Sequence, residues 1–264
     1  MPRIQTITSA ANPLLRDVRR ATARGERTAD GCCVAEGFHL LEEALRSGRD
    51  VPVVLASESL RDTVDRQVRG LTGTRTVVLP DALFQSVATT EASQGVIALV
   101  RPAEWSMEQV FRGASLVVVL DGLQDPGNAG AIVRAAEAFG ATGVLFMKGT
   151  ASPYHPKTLR ASAGSLFRVP FVGGLDAVVV RATLRQHRVA VYAAMPYTGA
   201  QKLAGATDLV RRCAIIAGGE GRGVSKELRG MAEDIAIPTT GVESLNAAVA
   251  ASVLLYEARR QRAE

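Results

Sequence analysis

Two periods alternate along the chain. Short β-branched runs that stop abruptly at Gly, Pro, Asn or Glu read as strands, and stretches with apolar residues three and four apart read as helices. Over the first hundred residues the pattern predicts strands at 32–36, 51–56, 76–79 and 96–100, and helices at 9–27, 38–47, 59–68 and 81–87. This alternation describes a small α/β domain. From Ser115 onward it predicts strands at 116–120, 143–147, 189–194, 213–217 and 234–237, and helices at 129–139, 178–187, 225–231 and 244–260. These strands are continuous apolar runs, as in a parallel sheet buried on both faces. Between the two lies RPAEWSMEQVFRG, residues 101–113, whose Pro, Trp and charges carry no strand pattern and at most a helical turn at 107–111. The expected organisation is therefore a domain at 1–100, a linker at 101–113 and a second domain at 114–264.

Composition narrows the class. A chain of 264 residues that is 47% hydrophobic can bury one large core or two smaller ones. Thirty-one Lys and Arg against 26 Asp and Glu give +5, mostly from arginine, a balance that favours a polyanionic partner and also fits ordinary solubility. Cys32, Cys33 and Cys213 have neither C-x-x-C spacing nor an even count, so the expectation is no disulfide framework, no metal site and a reducing compartment. MPRIQTITSAANP lacks a signal-peptide core and no apolar run approaches 18 residues, so a soluble cytoplasmic protein is expected.

The helix at 9–27 is lined with arginines, among them Arg16, Arg19, Arg20 and Arg27, and Lys157 and Arg160 recur in a small-residue segment of the second domain. Such a row can follow a phosphate backbone, each guanidinium releasing a counterion. A solvated helix face is the alternative.

The glycines fit no familiar nucleotide loop. Neither G-x-G-x-x-G nor the Walker pattern can be placed on GGEGRG at 218–223, because Val224 follows Gly223 where lysine is needed. The apolar runs ending at Asp121, Gly218 and Ile237 instead converge as strand ends at one crevice. There Gly218 and Gly219, with the wall from Ile237 to Gly241, bring backbone close to a flat ligand. Asn128, Arg134, Glu220, Ser244 and Asn246 are the chemistry-bearing side chains of the same three stretches. Helix capping alone would account for Asn128 and Ser244 singly. No Ser-His-Asp set, metal cluster or carboxylate pair is present, so nucleophilic, metal-assisted and glycosidase chemistry lack their parts.

DPGNAGAIVRAAEAFGATGV, IIAGGEGRGVS and IPTTGVESLNAAVAASVLLYEARRQ resemble, in order and spacing, the three motifs of the SpoU (TrmH-type) RNA ribose 2′-O-methyltransferases of the SPOUT superfamily. ITSAANPLLRDVRR and VAEGFHLLEEAL resemble the N-terminal substrate-binding domain, of ribosomal-protein-like fold, found in many members. The resemblance implies an α/β SPOUT domain with a parallel sheet and a deep trefoil knot. It also implies S-adenosylmethionine as cofactor, met by main-chain groups at Gly218, Gly219, Ile237 and Leu245, and a homodimer through the SPOUT domain. Leu245, Val249, Val253 and Tyr256 are expected to form the dimer stripe on the last helix.

By the same resemblance Arg134 meets the target nucleotide. Because a guanidinium does not readily give up its proton, it is expected to position phosphate and stabilise the developing alkoxide rather than act as a base. Asn128 and Asn246 are expected to orient Arg134 and the nucleotide, Glu220 to hold Asn128 or Arg134, and Ser244 to help close the pocket. Arg16, Arg19, Arg20, Arg27, Lys157 and Arg160 would bind RNA, with large-subunit (23S) ribosomal RNA the expected substrate. Transfer RNA, or a non-catalytic role in ribosome assembly, are the alternatives, and a nicotinamide oxidoreductase is disfavoured by the failed glycine fingerprint.

Overall fold

In the computed structural model, which describes residues 3–69 and 71–263, the chain packs as two units. One comprises Met1–Glu104 with Tyr154–Phe167, the other Trp105–Pro153 with Arg168–Glu264.

The first unit is built on a five-stranded sheet. Its elements are β1 (Arg3–Thr6), α1 (Pro13–Arg24), β2 (Cys33–Glu36), α2 (Phe38–Arg46), β3 (Val53–Ser57), α3 (Arg61–Val68), β4 (Arg75–Leu79), α4 (Asp81–Gln85) and β5 (Val96–Val100). The strand order is β1-β4-β3-β5-β2, with β5 antiparallel to both neighbours. The chain enters α1 where expected, at Asn12-Pro13: the Asn12 side chain accepts from Leu14 N, and Pro13 occupies the first helical position, where its missing N–H costs nothing. Leu15, Val18 and Ala21 of α1 pack on Leu55, Val77 and Ile97 of the sheet. All three cysteines are free thiols and buried, and burial pushes the Cys33 thiol up to about 12.

The second unit opens with α5 (Met107–Val110) and β6 (Leu116–Asp121), followed by α6 (Pro126–Ala138) and β7 (Gly143–Met147). The next helix, α7 (Pro156–Ala161), belongs to the first unit, where it packs against β2. The second unit resumes with β8 (Phe171–Leu175), α8 (Ala177–Gln186), β9 (Ala190–Met195), β10 (Lys202–Leu203), β11 (Cys213–Gly218), α9 (Lys226–Arg229), β12 (Glu233–Ala236) and α10 (Ala247–Ala263). Its seven strands pair parallel throughout in the order β10-β12-β9-β11-β6-β7-β8. Every residue of β6 is buried, as two-sided covering of a central parallel strand requires. The far end of α10 is held by Arg262, which donates to the carbonyls of Ala114, Ser115, Leu209 and Arg211.

The sequence places residues 154–167 by number within the second domain, but they complete the first. Gly164, in the left-handed region at φ +88, would drive a Cβ to 2.6 Å from the Cβ of Glu43 in α2, so only glycine lets the two segments close. The His155 side chain caps α7 by accepting from Lys157 N, which needs a neutral imidazole. Burial, then the charges of Arg160 and Lys157, hold its pKa below the ordinary value.

Candidate active site

Four parallel strands end on one side of the second sheet. β9 ends at Met195, β11 at Gly218, β12 at Ala236 and β6 at Asp121, with Gly218 and Asp121 in register. Outside these carboxyl ends lies a cavity of about 380 Å³. Gly218, Gly219, Ile237 and Leu245, the four positions expected to meet the cofactor, all line it, as do Glu220 and Ser244.

The glycine segment after β11 forms a tight hairpin, with Gly219 and Gly223 bridged antiparallel and Gly223 N donating to Gly219 O at 2.8 Å. Its base has no room for side chains: a Cβ on Gly218 would lie 2.2 Å from Gly223 C, and one on Gly219 2.3 Å from Gly122 O. Asp121 clamps it from β6. Its carbonyl accepts from Gly219 N at 2.9 Å, and its buried carboxylate accepts from Ser225 N at 2.7 Å. Sequence reading gave Asp121 no role, although a carboxylate at the end of a buried strand, next to glycine, was the available sign.

The hairpin presents Glu220 to the two asparagines. Asn128 Nδ2 donates to Glu220 Oε1 at 2.7 Å, and Asn246 Nδ2 donates to Asn128 Oδ1 at 3.1 Å and to Glu220 Oε1 at 3.4 Å. Neither asparagine has a free choice of orientation. Asn246 Oδ1 caps α10, accepting from Ala248 N at 2.9 Å and Val249 N at 3.3 Å, which leaves its Nδ2 to face the other two residues. Helix α6 begins three residues earlier than its pattern predicts, at Pro126. Its cap is Asp125, whose side chain accepts from Asn128 N, so the Asn128 amide is available to the site. Ser244 is exposed and caps no helix, because α10 starts at Ala247.

Arg134 stands apart from this triad. At about 100° per residue, six residues carry it roughly 120° around α6 from Asn128. Its guanidinium is exposed, with no hydrogen bond or ion pair to a described residue. The expected bonds from Asn128 and Asn246 to Arg134 are therefore absent here; Glu220 takes them. Leu245 also departs from expectation, lining the cavity ahead of the helix, whereas Val249, Val253 and Tyr256 leave an exposed stripe on α10 itself.

The RNA-binding candidates divide in the same way. Arg16 is exposed on α1, its guanidinium making no hydrogen bond or ion pair to a described residue. Arg19 is spent on Ser86 and the Ala10 carbonyl, Arg20 pairs with Asp17 and Glu26, and Arg27 pairs with Glu104 beneath the Tyr154 ring. Arg160 donates to Thr89 at 2.6 Å and stands 3.7 Å from the buried carboxylate of Glu36. Burial alone would raise the Glu36 pKa; bonds from Thr89, Thr90 and Ser93 outweigh it and hold the pKa below the ordinary carboxylate value. Lys157 is exposed.

The cavity's own chemistry limits its ligand. Among the described residues its only charged lining residues are Glu220 and Glu243, with no lysine or arginine among the others, so a phosphate-bearing nucleotide finds no counter-charge there. A flat ligand with a cationic centre fits: glycine backbone and the Ile237 and Leu245 walls take its body, and the carboxylates offset its charge. No group of three or more His, Cys, Asp or Glu that could hold a metal occurs among the described residues.

The SpoU rRNA Methylase family profile matches residues 115–256, more than half of the chain. The chain belongs to this family. An MRM3-like substrate binding domain matches residues 12–98. The 23S rRNA (guanosine(2553)-2′-O)-methyltransferase RlmP of Bacillus subtilis (strain 168) is 33% identical over 261 residues, spanning 97% of this chain and 100% of that protein. The SpoU methyltransferase AviRb from Streptomyces viridochromogenes, solved with AdoMet, superposes with a TM-score of 0.86 at 27% identity, covering 96% of this chain and 98% of AviRb. An AdoMet-bound rRNA methyltransferase from Sinorhizobium meliloti gives 0.82 at 26% identity, over 97% and 98%. The SpoU match spans all four strand ends and both asparagines, so the family assignment and the cavity coincide.

Proposed function

We propose that the protein transfers a methyl group from S-adenosylmethionine to a ribose 2′-hydroxyl of 23S ribosomal RNA. The observation that carries this is the Asn128–Glu220–Asn246 triad at the edge of a glycine-walled cavity whose charged lining is wholly acidic.

S-adenosylmethionine, when bound, supplies a methyl group already activated on a sulfonium. The protein is left to align the acceptor and to stabilise the charge that develops on it, since a ribose hydroxyl is a weak nucleophile at neutral pH. Main-chain groups at Gly218, Gly219, Ile237 and Leu245 hold the donor, and Ser244 closes the cavity. Glu220 locks the Asn128 and Asn246 amides, which orient the ribose. Arg134 positions a phosphate and stabilises the alkoxide.

The first unit supplies RNA affinity through Arg16, Lys157 and the α1 surface. A substrate-binding-domain match in that unit, and full-length similarity to a 23S enzyme, support ribosomal over transfer RNA. The exposed Val249, Val253 and Tyr256 stripe supports a homodimer through the second unit, and membership of the SpoU family supports a trefoil knot in its C-terminal segment. No helix among the described residues is long and apolar enough to cross a membrane, and the cytoplasm, where ribosomal RNA is, is the proposed location.

The test is labelled S-adenosylmethionine with unmodified 23S and transfer RNA, mapped by nucleoside mass spectrometry. One 2′-O-methyl mark on 23S RNA is expected, and a mark on transfer RNA alone would overturn the substrate. Arg134→Ala is expected to abolish transfer, by about 100-fold or more, while cofactor affinity by calorimetry is kept. Parallel loss of both would assign Arg134 to the cofactor pocket instead.

A further inference from the structure

The hairpin that presents Glu220 carries a second charged side chain, two residues further on, that the reaction described so far does not use. Glu220, Gly221 and Gly223 all line the cavity, and Arg222 between them does not: its side chain leaves the rim and is exposed. Arg222 has no hydrogen bond or ion pair to a described residue.

Several arginines of this unit are neutralised in place. Arg168 holds Glu137 with both nitrogens, Arg229 holds Asp234, and Arg260 holds Glu257. Arg222, like Arg134, is a cation without an acid among the described residues, and it stands on a hairpin whose base is fixed. The hairpin base is jammed against Gly122 and clamped by Asp121, whereas a Cβ at Gly221 or Gly223 would meet nothing within 4 Å. A rigid base and an open, unfilled tip suit a group that meets a ligand from outside. The charged residues described along the cavity, Glu220 and Glu243, are both acidic and disfavour phosphate inside it, so a polyanion is better met at the rim.

We infer that Arg222 is a substrate-positioning residue that binds an RNA phosphate beside the target ribose, from the face of the triad opposite to the donor cavity. This rests on the proposed methylation of RNA. Glycine on both sides lets the guanidinium swing to a bidentate phosphate contact, and the fixed distance from Arg222 to Glu220 along the hairpin ties that phosphate to the asparagines that orient the sugar.

The experiment measures binding of a 23S ribosomal RNA transcript to the full-length protein across a salt series, with calorimetry of S-adenosylmethionine on the same samples. Arg222→Ala is expected to weaken RNA binding about tenfold, as for one charge-assisted contact. It should also lower the slope of log affinity against log salt by about 0.7 to 0.9, the value of one phosphate contact. Arg222→Lys should keep the slope, and the cofactor affinity of both variants should equal that of the parent. An unchanged slope in Arg222→Ala, or a loss of cofactor affinity matching the loss of RNA affinity, would overturn the assignment. Parent protein that binds the transcript with a normal slope but transfers no methyl group would overturn the proposed reaction and leave the Arg222 measurement standing.

Discussion

The amide of Asn246 faces two ways, and the site depends on both. Its oxygen satisfies two amides of the first turn of α10, and its nitrogen ties Asn128 to Glu220. Substitutions can separate these tasks. Asn246→Asp keeps an oxygen cap, which aspartate supplies as well as asparagine, but it removes the donor and sets a second carboxylate beside Glu220. Methyl transfer is expected to fall about 100-fold with the melting temperature nearly unchanged. Asn246→Ala should lose the transfer and also about 1 kcal/mol of stability from the missing cap. Single-turnover kinetics with thermal melts on both variants would check this, and equal melting losses would show that capping is the whole role of Asn246. The residue types of the triad were legible in sequence because polar side chains follow buried apolar runs there. Their bonding was not, since it depends on Asp125 capping α6 in place of Asn128, and on Glu220 arriving on a separate hairpin. The pairing of the arginine row was hidden for the same reason: helix periodicity shows which face Arg20 occupies, but not that α1 ends at Arg24 before Arg27, nor that Glu26, Glu104 and Glu36 reach Arg20, Arg27 and Arg160.

Among the elements, the hairpin after β11 is where a single methyl group would cost most. Gly219→Ala forces a Cβ to 2.3 Å from a backbone oxygen of Gly122, so β6 and the hairpin must part, and Glu220 moves with them. Gly221→Ala meets open space and bears only the left-handed backbone cost, about 1 kcal/mol. Calorimetry and activity assays are expected to show cofactor binding and transfer both lost in Gly219→Ala and largely kept in Gly221→Ala. The reverse order would mean that the tip, rather than the clamped base, shapes the cavity. Most elements were legible from apolar runs alone: β5 and β7 fall at their predicted limits, because both are five-residue runs buried throughout. Three strands were not. β1 is exposed along most of its length, β8 has two glycines and a mostly uncovered outer half, and β10 has two residues, so none shows the continuous run that marks a central strand. Helix α6 starts earlier than its pattern predicts because Pro126-Gly127 reads as a turn, although proline at the first helical position is favoured.

At the scale of the whole molecule, the two units are not two consecutive stretches of sequence. Composition marks the change at 101–113, but it cannot show that 154–167 go back to the first unit, because helix α7 (PKTLRA) lies in one mixed stretch of small, polar and basic residues with its neighbours in sequence. Pro156, Thr158, Leu159, Leu166 and Phe167 are all buried in that first unit, and each large apolar side chain so covered contributes about 1.5–3 kcal/mol. The sequence division suggests that removing residues 1–100 leaves a folded, cofactor-binding remainder with poor RNA affinity. The packing changes that expectation. A chain lacking 1–104 strands the α7 segment without β2 and α2, exposing Leu159, Leu166 and Phe167, and is expected to aggregate. Replacing 154–167 by a short Gly-Ser linker in the same deletion removes that exposed surface. The resulting protein should stay soluble, bind S-adenosylmethionine with near-parent affinity, and bind 23S transcript at least tenfold more weakly, as the loss of several phosphate contacts requires. Size-exclusion chromatography, calorimetry and filter binding on the pair would decide. If the simple deletion were as soluble as the relinked one, 154–167 would owe its order to its own chain neighbours. If the relinked protein kept full RNA affinity, the arginine surface of α1 would have no part in holding the substrate.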